Sequence, residues 1–135
     1  MSTFTVEEIT GLPPSPVEPF YKLIVDGKCH FDEFWEKMEK SGNQKKMLDK
    51  IQTIISLKSQ GIRLPSSQFQ ELKNRGKDDP YPDYEIRAKQ LRLYLFDDSD
   101  SGKIIVLGEV KKGWKTQSKS IKKMRELKLA YFKQR

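Results

Sequence analysis

Cysteine and histidine are almost missing from this chain: Cys29 and His30 each occur once, side by side. A single cysteine excludes an internal disulfide framework, and one Cys with one His cannot hold a zinc ion by themselves. Long apolar runs are also missing, and nothing approaches the roughly 18–20 residues of a membrane span. Met1 to Glu8 contains neither a basic n-region nor an apolar h-region, so no signal peptide is expected and the expected compartment is the cytoplasm. Glycine-rich phosphate loops are absent. No Ser/His/Asp or Cys/His catalytic pairing can be argued from one histidine so far in sequence from the basic segment, and His30 reads as a structural or surface residue.

Acidic residues are scarce in one region. The chain has 135 residues and a net charge of +7. From Lys103 onward there are eleven basic residues against Glu109 and Glu126, a net of +9, while residues 1–102 carry −2. The positive charge therefore belongs to the last quarter, Lys128 and Lys133 included. This asymmetry fits a surface for a polyanion, such as nucleic acid, or for an acidic protein; it equally fits a solvated lysine-rich helix. Hydrophobic residues make up 36% of the chain, enough for a real core, and the length suits one domain.

Residues 1–19 read as an N-terminal tail. Gly11-Leu-Pro-Pro-Ser-Pro holds three of the seven prolines in six residues and favours an extended connector, although Phe4, Val6 and Ile9 could dock as a strand or short helix. Residues 20–135 read as the folded domain. Tyr21 to Val25 predicts a strand closed by a turn at Asp26-Gly27. Phe31, Phe34, Trp35 and Met38 follow i, i+3, i+4, i+7, the stripe of an amphipathic helix. A second helix is predicted from about Gln44 to Gln60, with Met47, Leu48, Ile51, Ile54 and Ile55 on one face and Gly61 at the left-handed cap position.

Beyond Pro65 the period falls to two. Phe69 to Lys73 is a candidate strand, and Tyr84 to Lys89, Leu91 to Phe96 and Lys103 to Val110 are predicted strands. The Asp97–Gly102 stretch joins the last two as a hairpin turn. A calcium loop would need a glutamate at position twelve, where Gly108 stands. Ser118 to about Lys133 predicts a closing helix with Ile121, Met124, Leu127 and Tyr131 inward. The expectation is a small single α+β domain in the order β-α-α-β-β-β-α. It has an antiparallel-dominated β-sheet packed on one face by helices, an N-terminal helix hairpin and a C-terminal basic helix.

Arg87, Arg92 and Tyr94 fall on strand positions facing away from Leu91, Leu93 and Leu95. Lys111-Lys-Gly-Trp-Lys leads from the last strand into the basic helix. If the strands pair in order, these groups can converge on one surface, where guanidinium and ammonium groups hold phosphates and Tyr94 or Trp114 stacks on a base. The other reading has Arg92 and Tyr94 merely covering an amphipathic sheet, with Trp114 capping the core.

Several motifs together, Tyr84-Glu-Ile-Arg, Leu91-Arg-Leu-Tyr-Leu-Phe-Asp-Asp and Ile105-Val-Leu-Gly-Glu-Val-Lys-Lys-Gly-Trp-Lys-Thr, followed by a Lys/Arg-rich helix, resemble the RelE/HigB-type toxins of bacterial toxin–antitoxin systems. The likeness is greatest to the HigB-like, phage-derived branch. It covers about residues 66–135, and residues 20–60 match only in the strand–helix-hairpin order. The resemblance implies a RelE-like fold and a ribosome-dependent mRNA endonuclease neutralised by a cognate antitoxin protein. Its partners would be that antitoxin, the ribosome and mRNA, with no membrane, metal or cofactor involved.

By the same resemblance Arg87 and Arg92 match the arginines of two successive strands, Lys111 and Lys112 the basic pair that ends the last strand, and Lys115-Thr116 the motif after it. These five basic residues are the expected catalytic set, the arginines clamping phosphate and the lysines moving protons. Tyr94, Trp114 and Lys119 are the expected substrate contacts. The chain departs from the family at Gln117, usually proline, at Gly113-Trp114 in the turn, and at Glu109, usually apolar or aromatic. Two readings remain open: the endonuclease, and a non-catalytic module of the same fold that binds RNA, DNA or an acidic protein through its basic helix.

Overall fold

The computed structural model describes residues 2–14 and 17–134. Met1, Ser15, Pro16 and Arg135 lie outside the described residues, and with them the last proline of the connector and the last base of the +9 segment. The chain runs β1 (Phe4–Glu8), β2 (Phe20–Val25), α1 (His30–Lys40), α2 (Lys45–Ser59), β3 (Phe69–Glu71), β4 (Asp83–Ala88), β5 (Leu91–Asp98), β6 (Gly102–Val110) and α3 (Trp114–Lys133). This is a small α+β domain with three helices and one six-stranded mixed sheet in the order β1-β2-β6-β5-β4-β3. Four pairings are antiparallel, and β2 with β6 is parallel. A parallel pair needs a crossover rather than a hairpin, and the α1–α2 pair with β3 to β5 supplies it.

The local signals act where the periodicity put them. Val25 and Lys28 exchange both backbone hydrogen bonds (2.8 and 2.9 Å) around Asp26-Gly27. Gly61 has φ +80°, its N–H bonding the Lys58 carbonyl and the Ile62 N–H the Leu57 carbonyl. That pair of bonds satisfies the last carbonyls of α2 and stops it. Ser99 to Ser101 turn β5 into β6, with the Asp98 carboxylate accepting the Asp100 N–H at 3.0 Å. The closing helix begins at Trp114, four residues before the expected Ser118.

Two expectations are corrected. First, the N-terminal segment is more than a connector: of the readings left open for Phe4, Val6 and Ile9, docking as a strand is the one found, β1 pairing antiparallel with β2, Phe4 opposite Val25 through Glu8 opposite Tyr21. Phe4 and Val6 alternate onto the sheet's α3 side, and Ile9 and Leu12 pack against the other core cluster. Glu18 then forms an ion pair with Lys103 at the start of β6. Second, helices cover both faces of the sheet, not one. Phe31, Phe34, Met38, Leu48, Ile51, Ile54 and Ile55 from α1 and α2 pack on Ile86, Leu91, Leu93, Leu95 and Ile105. On the opposite face Tyr94, Phe96, Ile104, Val106 and Leu107 meet Met124 and Tyr131 of α3. The reason lies in β5 and β6, where both parities are apolar, so neither face can be left to water. A bulge at Val106, between the Tyr94–Leu107 and Leu95–Ile105 pairs, turns that extra apolar residue into the α3-side core.

Gly108 marks where α1 presses closest. A β-carbon there would lie 2.6 Å from Phe34 and 2.7 Å from Leu93, so only glycine lets α1 seat on β6.

Candidate functional site

The register of β4, β5 and β6 sets Arg87 opposite Arg92 and Arg92 opposite Glu109, with Glu85 opposite Tyr94 in the next row. These groups share the face that α3 covers, which changes what they can do. Tyr94 is fully buried and donates its phenol to Glu109 at 2.6 Å. Burial first, and that carboxylate second, push its pKa above the usual tyrosine range. Arg92 is 7% exposed, and its guanidinium donates to the carbonyls of Lys89 (2.5 Å) and Leu91 (2.9 Å). Arg87 donates to the buried Glu85 carboxylate at 2.5 Å, and Glu85 also accepts Gln117 of α3 at 2.9 Å.

The expected roles of Arg92 as an open phosphate clamp and of Tyr94 as a stacking platform are therefore corrected. Pointing away from the leucine face does not mean pointing to solvent when a second helix lies over that side. Gln117, the position where the resemblance calls for proline, instead ties the first turns of α3 to the sheet. Arg87 stays partly exposed at the rim of this layer, already engaged with Glu85.

The basic segment divides in the same way. Lys128 is fully buried, its ammonium 2.7 Å from each of Asp79, Asp83 and the Tyr81 carbonyl. Arg125 grips Asp83 with two hydrogen bonds of 2.8 and 3.0 Å and reaches the carbonyls of Lys73 and Asn74. Both anchor the 73–83 loop under α3, so Lys128 does not belong to the surface charge that the sequence count assigns to this helix. Lys103 bridges Glu18 and Asp97. Burial disfavours its ammonium, but the two carboxylates outweigh that and hold its pKa above the ordinary lysine value.

The remaining cations gather at the head of α3. Lys111 is half-buried, its N–H extending the β-ladder to the Gln90 carbonyl at 2.7 Å, while Lys112, Lys115 and Lys119 are exposed. Trp114, 72% exposed, opens the helix among them, so it does not cap the core. No side chain caps this end and the first turn holds no acid, so the positive end of the helix adds to the lysines.

Beside this ridge runs an open groove of about 660 Å³ between α1 and α3. Leu107 to Val110 of β6 form its floor, His30, Glu33, Phe34, Lys37 and Met38 one wall, and Lys112, Thr116, Ser120 and Lys123 the other. His30, set aside on sequence grounds, thus faces the basic segment. Its Nδ1 lies 3.4 Å from Glu33, and burial together with the Lys123 charge lowers its pKa from 6.5. No local signal gives this placement: α1 follows β2, and β2 lying parallel to β6 brings the start of α1 to the C-terminal end of β6. Sites in α/β sheets favour that end. At the floor, Glu109 Oε1 is buried with no hydrogen-bond partner among the described residues.

A second cavity of about 210 Å³ lies where Ile9 and Leu12 meet Phe31, Trp35 and Ile55, beside the Lys22–Asp32 ion pair. No described helix is long and apolar enough to cross a membrane. Comparison with protein-family models, with curated proteins and with solved structures finds no match to this chain.

Proposed function

We propose that this chain is the toxin component of a type II toxin–antitoxin system, a ribosome-dependent mRNA endonuclease of the RelE/HigB kind that stops translation in the cytoplasm. The observation that carries the reading is the cluster at the end of β6 and the head of α3. Lys112, Trp114, Lys115 and Lys119 stand exposed there beside the cationic α1–α3 groove. Ammonium groups and a helix N-terminus attract phosphates, and an exposed indole stacks on any base, which suits a single strand. A RelE-like arrangement of the α+β domain belongs to the same proposal. The partner would be an antitoxin whose acidic or amphipathic segment covers this surface.

A second reading, the non-catalytic binding module, draws on the burial of Arg92 and Tyr94, which removes two of the expected site groups from reach. The test is induction of the chain without an antitoxin, with mapping of mRNA ends on ribosomes. Endonuclease action gives growth arrest and new ends within translated messages. Uncut mRNA, with the protein still bound to RNA, leaves the module. Co-purification with the protein encoded beside it, weakening as salt rises, tests the partner.

A further inference from the structure

We infer that the α1–α3 groove is the reaction cleft for RNA and that His30 is its general base, an inference resting on the endonuclease reading above. His30, Lys112 and Lys123 line one groove, and its volume falls in the range of small-ligand sites. Its walls come from the start of α1, the chain just past β6 and the first three turns of α3. These elements are fixed by the Phe34–Gly108 contact and by the Gln117–Glu85 hydrogen bond. Arg92 and Tyr94, by contrast, lie beneath α3, where no substrate reaches them.

The chemistry is transesterification by the ribose 2′-hydroxyl. The neutral His30 imidazole takes the 2′-hydroxyl proton as the 2′-oxygen attacks phosphorus. The P–O2′ bond forms and the P–O5′ bond breaks, while the Lys112 ammonium gives its proton to the departing 5′-oxygen. Lys123 balances the charge on the pentacovalent phosphorane. The products are a 2′,3′-cyclic phosphate and a 5′-hydroxyl, and water returns His30 and Lys112 to their starting states. No oxidant, reductant or metal enters the balance. Glu33 contacts His30 Nδ1, which orients the ring so that Nε2 is left for the proton.

The groups facing His30 are Glu33 and Lys37 from α1, Lys28 from the preceding turn, Glu109 and Lys112 from β6 and its end, and Lys123 from α3. With the imidazole value lowered from 6.5, His30 is mostly neutral at pH 7, and cleavage should fall as pH drops below 6.5.

The experiment uses purified full-length protein, ribosomes and a translated mRNA, reading cleavage rate, product ends and RNA affinity from pH 5.5 to 8. His30→Gln should lower cleavage at least a hundredfold, leave RNA affinity within twofold and abolish the acid limb. Lys123→Gln, at an exposed position, should also slow cleavage and decides the matter should the His30 variant fail to fold. If both variants cleave like wild type while Arg87→Ala does not, the groove is not the cleft and the endonuclease reading stands without it. If the wild-type protein leaves ribosomal mRNA uncut, both the endonuclease reading and this inference fall.

Discussion

Lys103, Arg125 and Lys128 belong to the same basic segment as Lys112, Lys115 and Lys119, yet the two groups have opposite physical fates. The first three are held by Glu18, Asp97, Asp79 and Asp83 and knit the loops to the sheet. The second three stand in water at the head of α3. Net charge counts both alike, whereas only the exposed group presents a field to a partner. A basic composition thus overstates the binding surface by whatever share the fold neutralises internally.

The sharpest way to break the comparison is to remove a buried cation. Lys128→Ala strands Asp79 and part of Asp83 away from water and should cost about 3–5 kcal/mol, read as a lower midpoint in urea denaturation. A loss under about 1 kcal/mol would mean that Lys128 belongs with the solvated lysines. Arg125→Ala keeps the Lys128–Asp83 pair, so its cost should be smaller, about 1–3 kcal/mol by the same assay.

Exposed lysines should show the reverse pattern. Lys115→Ala and Lys119→Ala should leave stability within about 0.5 kcal/mol. Each should lower the salt dependence of single-stranded RNA binding by about 0.7 in the log–log slope. Equal salt slopes for wild type and both variants would remove the head of α3 from the interface.

The smallest effect is a matter of pH. Lys103 has a folded pKa above its ordinary 10.5, so its contribution is fully present below that value and is lost as pH rises through the folded one. Stability should therefore decline only as pH rises past about 10.5, and Lys103→Met should flatten that decline. His30 works in the opposite sense: its folded pKa lies below 6.5, so the unfolded chain takes up the proton first. Stability should slip as pH falls below 6.5 and level off once the folded imidazole also protonates. His30→Gln should remove that step.

Much of this architecture is legible from local pattern. The Phe31–Met38 stripe, the Gly61 cap, the Leu91–Phe96 alternation and the 99–101 turn each depend on neighbours a few residues away, where propensity and period act. The candidate site was legible only in part. Lys112, Trp114, Lys115 and Lys119 are exposed as the sequence suggests, while Arg92 and Tyr94 went under α3 and His30 came into the groove. An alternating strand tells which residues share a face, but not whether that face will be covered.

What the sequence by itself determined is the identity of the helices, of strands β2 and β4 to β6, and the concentration of positive charge after residue 102, because these follow from short-range period and simple counting. Only the tertiary structure decided that β1 joins the sheet, that β2 lies parallel to β6, that α3 closes the second face and that Asp83 consumes two of the cations. The β2–β6 pairing and the Asp83 ion pairs span 40 or more residues, and in all four outcomes burial of both faces of one sheet and the cost of an unpaired buried charge outweigh any local preference.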